Sequence, residues 1–183
     1  ILANGADVST MEVASAPNFT KKYNAVNAEA LLNVLSGNIT IDAADDALHS
    51  DYTLNVGSET TSPTITINSC YEGLEGTNLL VASGAITIYS EDDCLNAANS
   101  DLTGYDFTMD ITGGTIWAYA ASDDGLDSNG SLTISGGTLD GAVYTWGYDG
   151  AAGITDIIGG YIHGDVASVS YDGSDYVPQT TIS

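Results

Sequence analysis

The sequence predicts an all-β fold, a single-domain parallel β-helix (β-solenoid) of about six coils, and three observations carry that prediction. A four-residue motif recurs through the chain, alternating apolar and small polar runs flank most copies, and glycines close the runs at regular places. The repeat units are too small to bury an apolar side alone, so they must stack.

The motif is an acid or amide, a small residue, an aliphatic or small apolar residue and a polar one. Its copies are Asn24-Ala25-Val26-Asn27, Asp46-Ala47-Leu48-His49, Glu72-Gly73-Leu74-Glu75, Asp93-Cys94-Leu95-Asn96, Asp124-Gly125-Leu126-Asp127 and a degenerate Asp149-Gly150-Ala151-Ala152. Their first positions lie 22, 26, 21, 31 and 25 residues apart, so the repeat is one coil long with loops of unequal length. The repeats cover about residues 22–165 of a single 1–183 domain, with degenerate coils at both ends.

Before the motif runs Ile39-Thr40-Ile41, Ile65-Thr66-Ile67 or Ile86-Thr87-Ile88, and after it Tyr52 to Val56, Asn78 to Val81, Phe107 to Ile111 or Ser131 to Ile134. Alternation of this kind is strand periodicity. Each unit reads as strand, acidic turn, strand, glycine corner. Helix is disfavoured by the density of β-branched residues and glycines, and only residues 26–35 have a helical look.

Stacked coils place equivalent residues about 4.8 Å apart. Val26, Leu48, Leu74, Leu95 and Leu126 then make one inward column, and Ile39, Ile65 and Ile86, each seven residues before the motif acid, make another. Ile116 lies eight residues before Asp124, which predicts a one-residue bulge in that coil.

Charge sets the function classes. Asp and Glu total 25 against two Lys and no Arg, a formal net charge of −23, which disfavours nucleic acid and anionic membranes as partners. Apolar residues make up 43% of the chain, enough for a folded core rather than disorder. No run of about 18 apolar residues suggests a membrane span, and no basic-then-apolar leader opens the chain. Acidity and surface chemistry point to a secreted, extracellular or cell-surface location. The sequons at Asn18, Asn38 and Asn129 are compatible with it.

With the aliphatic column inward, the flanking acids are expected outward and in register. Asp45 and Asp46 stack near Tyr71 and Glu72, then Asp92 and Asp93, then Asp123 and Asp124, with His49, Glu75, Asn96 and Asp127 in a parallel column. Bare carboxylates at that spacing repel by roughly 1 kcal/mol per pair in water and several times more at a surface dielectric. Calcium, with six to eight oxygens at about 2.3–2.6 Å, fits between coils spaced about 4.8 Å apart. The expected ligands for several Ca2+ ions are Asp45, Asp46, Glu72, Glu75, Asp92, Asp93, Asn96, Asp123, Asp124 and Asp127. A soft-metal site is not expected, because His49, His163, Cys70 and Cys94 do not fall at ligand spacing. Solvated turn acids are the simpler alternative for any one copy, and repetition is what favours metal.

Cys70 and Cys94 fall roughly 11 Å apart in a stacked reading, beyond disulfide reach, and are expected as buried thiols. Tyr71, Tyr89, Trp117, Tyr119, Trp146 and Tyr148 sit near strand ends or turns, where rings could stack on sugar rings or simply pack under loops. Adjacent acids such as Asp92 and Asp93 do not face a substrate from opposite sides, which argues against an enzyme. Lys21 and Lys22 stand outside the acidic face and so do not supply a lyase base.

The segments "GNITIDAADDALHSD", "YEGLEG", "SEDDCLNAA" and "SDDGLDSNGSLTISGGTL" resemble successive coils of the pectate-lyase-like, right-handed β-helix carbohydrate-binding domains of secreted proteins from cellulose-degrading bacteria. The resemblance implies right-handed coils, calcium between them, and binding of plant-wall polysaccharide such as cellulose or polygalacturonate without cleavage. Ala47 and Cys94 at usual glycine positions, and the scarcity of basic residues, depart from that pattern.

Two functions compete. One is a non-catalytic, calcium-dependent carbohydrate-binding module. The other is a calcium-stabilised structural protein that self-assembles end to end into extracellular filaments, since a solenoid ends in unpaired strand edges and the terminal coils here lack obvious caps. A ladder of Thr40, Thr66 and Thr87, reminiscent of ice-binding β-helices, is a third and weaker idea.

Overall fold

A computed structural model describes residues 24–140 and, beyond them, only the backbone of strands at 148–150, 155–163, 169–171 and 174–176. The first coil is β1 (Val26–Ala28), β2 (Leu31–Val34) and β3 (Asn38–Asp42), and the second is β4 (Leu48–Val56) and β5 (Thr64–Ser69). The third is β6 (Leu74–Val81) and β7 (Ala85–Ser90). The fourth is β8 (Leu95–Ala97), β9 (Thr108–Ile111) and β10 (Thr115–Ala120), and the fifth is β11 (Leu126–Ser128) and β12 (Ser131–Asp140). Backbone strands β13 (Tyr148–Gly150) and β14 (Thr155–His163) extend the stack, while β15 (Val169–Tyr171) and β16 (Ser174–Tyr176) pair antiparallel beside it.

The result is an all-β, parallel solenoid of about five turns with no helix among the described residues. Three strand ladders form its walls. The ladder after the acidic turn aligns Val26, Leu48, Leu74, Leu95 and Leu126, as the motif predicts. The next aligns Leu32, Leu54, Leu79, Met109 and Leu132, with Val34, Val56, Val81, Ile111 and Ile134 two residues on. The third aligns Ile39, Ile65, Ile86, Ile116 and Leu139. These side chains are buried and form one core. At about 1.5–3 kcal/mol per fully buried aliphatic, the columns are the main stabilising term.

Residues 26–35 form strands β1 and β2 rather than a helix. Val26, Leu32 and Val34 point into the core while Leu31 and Leu35 stay exposed, and Asn33 accepts a 2.9 Å hydrogen bond from Asn55 in the next coil. Pairing with β4 overrides local propensity. The expected bulge at Ile116 is also absent, because β7 and β10 pair without a break from Ala85–Thr115 to Ser90–Ala120. The additional residue instead enlarges the turn between Ala120 and Asp124, and the rest of that long repeat is the loop between β8 and β9. Register shifts occur elsewhere, between Ile41 and Asp42 and between Ser50 and Thr53.

Glycine closes the corner before the third ladder. Gly37, Gly84, Gly114 and Gly137 all have positive φ there, and a Cβ on Gly114 would meet the Gly84 carbonyl oxygen at 3.2 Å. The sixth motif copy departs from the others, since Asp149 pairs in register with Asp127 and Tyr148 with Leu126. Lys21, Lys22, Asn18, Tyr144, Trp146, the Ile1 to Val13 stretch and the Thr- and Ser-rich C-terminus lie outside the described residues.

Candidate functional site

Backbone hydrogen bonds fix the acidic turns in two columns. Ala47 N donates to Glu72 O at 2.9 Å, Gly73 N to Asp93 O at 3.0 Å and Cys94 N to Asp124 O at 3.1 Å, which stacks the motif acids Asp46, Glu72, Asp93 and Asp124. Tyr71 N donates to Asp45 O and Asp92 N to Tyr71 O, both at 2.9 Å, which stacks the residue before them. Strand pairing adds the parallel column His49, Glu75, Asn96 and Asp127.

The motif acids are not solvated, contrary to the outward expectation. Asp45, Asp46, Glu72, Asp93 and Asp124 are at most 9% exposed, because each turn covers the carboxylates of its neighbours. Burial of stacked acids is costly, so what neutralises them defines the chemistry of the site.

Three clusters bring ligand-type atoms within 4.8 Å of one another: Asp46, His49 and Glu75; Glu72, Asp92 and Asp93; and Asp93, Asp123 and Asp124. Asp45 and Asp127 fall in the same columns but outside these clusters, and Asn96 stands in register between Glu75 and Asp127. Asn96 is 7% exposed and its Oδ1 makes no hydrogen bond, and the same holds for Oδ1 of Asp46. Oxygen-only clusters beside an unsatisfied buried carbonyl oxygen suit a hard divalent cation.

Titration follows the crowding. Burial pushes the Asp93 carboxyl up to about 8, and the charges of Asp127, Asp123 and Asp124 push the same way against the hydrogen bond its Oδ1 accepts from Asp124 N at 2.8 Å. Burial raises Asp46 too, with the His49 hydrogen bond opposing. His49 is the residue the sequence undervalued. Burial works against its charge, yet contacts with Asp46 and Glu75 at Nδ1, and with Asp51 at Nε2, raise it to about 10. It is a cation at neutral pH. Its place in the column was visible in the motif, as the one basic side chain among acids.

Above the turns lies a groove of about 370 Å³ lined by Tyr71, Tyr89 and Tyr119 with Ala43, Ser90 and Glu91. Tyr89 and Tyr119 occupy paired positions on β7 and β10, with ring centroids 5.8 Å apart and planes tilted by 46°. Trp117 is 39% exposed, on the outer face in register with Thr87, and does not line the groove. Thr40, Thr66 and Thr87 do form one rank on that face. Tyr148 has only its backbone described.

Cys70 and Cys94 are buried free thiols, as expected. Burial raises both, Cys94 to about 12, so neither is a reactive thiolate near neutral pH.

A family model described as "Carbohydrate-binding domain-containing protein" matches residues 59–173. No curated protein and no solved structure matches.

Proposed function

The chain belongs to the carbohydrate-binding domain-containing protein family, and on that premise we propose that it is a non-catalytic, extracellular module that holds a plant-wall polysaccharide against the tyrosine groove, with calcium closing its acidic turns. The observation that carries the reading is the groove itself. Tyr71, Tyr89 and Tyr119 offer aromatic rings, and the exposed Glu91 offers a hydrogen-bonding group at the same wall. Sugars are recognised by this combination of apolar ring faces and a few polar groups.

Calcium is the cation of choice because the clusters at Glu72, Asp92 and Asp93 and at Asp93, Asp123 and Asp124 present only oxygen. Glu72, Asp92, Asp93, Asp123 and Asp124 would hold it, and its charge would replace the proton that burial favours on Asp93. Among the described residues the groove lining holds one carboxylate, Glu91, where glycoside hydrolysis uses a pair, so binding rather than cleavage is the reading.

Affinity electrophoresis through gels containing cellulose derivatives, other β-glucans or polygalacturonate tests the proposal. Retardation by at least one glycan, reduced in Tyr89→Ala and Tyr119→Ala, is expected. Absence of retardation by every polysaccharide, with calcium present, overturns it.

A further inference from the structure

Successive turns of the acidic column are not equivalent. Four inter-coil steps can be followed, at Asn24 to Asp46, Asp46 to Glu72, Glu72 to Asp93 and Asp93 to Asp124. At the third and fourth, the upper turn supplies two consecutive acids, Asp92 with Asp93 and Asp123 with Asp124, which close a three-carboxylate cluster with the acid below. At the second step the residue matching Asp92 is Tyr71, 37% exposed in the groove wall, so that carboxylate is missing. His49 instead contacts both Asp46 and Glu75 through Nδ1. At the first step the Asn24 amide, oriented to satisfy both of its ends, donates to Oδ2 of Asp45 and Oδ2 of Asp46, each at 2.9 Å.

A second feature lies at the later steps. Asn96 follows Asp93 by three residues, stands in register between Glu75 and Asp127, and is 7% exposed with an Oδ1 that makes no hydrogen bond. Oδ1 of Asp46 likewise makes no hydrogen bond, so what separates the two sets of steps is the third carboxylate at the later ones and the Asn24 and His49 donors at the earlier ones.

Resting on the calcium reading above, we infer that the column divides in two: Asn24 and His49 close the first two steps with the protein's own N–H donors, and only the steps at Glu72–Asp93 and Asp93–Asp124 take cations. His49 is then a determinant of where ions bind, occupying the space between Asp46 and Glu75. Tyr71 completes the division by giving its position to the groove.

Calcium titration of the metal-stripped full chain by calorimetry, with bound calcium counted by elemental analysis, tests this. Asp92→Asn and Asp123→Asn should each remove one calcium, and Asp93→Asn should remove both. His49→Gln, which keeps a donor, and His49→Asn should leave the count unchanged. Tyr71→Asp combined with His49→Asn builds a third carboxylate cluster and should add one ion, with circular dichroism confirming the β fold of each variant. Loss of an ion in both His49 variants would make the imidazole a ligand and overturn the division. An unchanged count in Asp123→Asn, or no gain in a folded Tyr71→Asp/His49→Asn variant, would overturn it as well. A wild-type chain that binds no calcium refutes the calcium reading itself, a result distinct from these.

Discussion

Stability in the absence of divalent metal should fall as pH rises from about 5.5 to 8, the reverse of the behaviour of a protein held by ionised, paired carboxylates. Asp93 is the main cause. Its carboxyl is ordinary at 3.8 in the unfolded chain and about 8 when folded, so between those values the native state holds a proton that the unfolded state has released. Where the native state binds more protons, stability decreases with pH. His49 acts in the same direction: its contribution is complete below about 6.5 and is lost as pH rises through about 10. At about 1.4 kcal/mol per pH unit, the Asp93 window amounts to roughly 3–5 kcal/mol, after allowing for protons shared with Asp123, Asp124 and Asp127. Urea unfolding in chelator at pH 5.5, 6.5, 7.5 and 8 measures it. Asp93→Asn should flatten the profile and be more stable than wild type at pH 8 without metal. Saturating calcium should also flatten it, because the ion replaces the proton. A metal-free midpoint that stays level or rises across this range, or an Asp93→Asn profile as steep as wild type, refutes the reasoning.

Two perturbations test the scaffold. Leu79→Ala removes a fully buried side chain from the middle coil and should cost about 2–5 kcal/mol, read as a lower urea midpoint with unchanged slope. Gly73→Ala should destabilise by more than about 1 kcal/mol in thermal melts, since a Cβ there meets the Cys94 carbonyl oxygen at 2.3 Å and Ile88 Cγ2 at 2.6 Å, whereas Cys94→Gly should be much milder.

The fold was legible because its signal repeats. One copy of Asp-Cys-Leu-Asn says little, but five copies aligned by the aliphatic column leave few alternatives, and strand pairing places Leu48, Leu74, Leu95 and Leu126 as that alignment requires. Spacing was the weaker guide. It could place an additional residue before Asp124 but not show that the turn, rather than the strand, absorbs it, because a loose turn accommodates insertion without breaking ladder hydrogen bonds. The column residues were legible for the same reason as the core, while their burial was not. Side-chain alternation sends Asp93 away from the aliphatic core, and only the stacked turns above and below show that this outer position is shielded from water. The groove was legible in part. Tyr71, Tyr89 and Tyr119 stood out as aromatics at turns, but Ala43, Ser90 and Glu91 carry no signal until coils from different parts of the chain are adjacent.

That adjacency links the two halves of the proposed function. Tyr71 precedes Glu72 and Glu91 precedes Asp92, so the groove wall and the acidic column share the same two turns, held by the Glu91 N to Cys70 O and Asp92 N to Tyr71 O hydrogen bonds, each 2.9 Å. A cation drawn between Glu72, Asp92 and Asp93 restrains those turns and with them the ring of Tyr71. Ordering a wall before the ligand arrives lowers the entropic cost of binding, by about 0.5–1.5 kcal/mol for a side chain such as this. Glycan affinity should therefore be about 2- to 10-fold higher in calcium than in chelator. Asp92→Asn should lose that gain while Asp123→Asn, one step further from Tyr71, should keep most of it. Equal calcium dependence in both variants would mean that the ion acts on the solenoid as a whole and not through the shared turn.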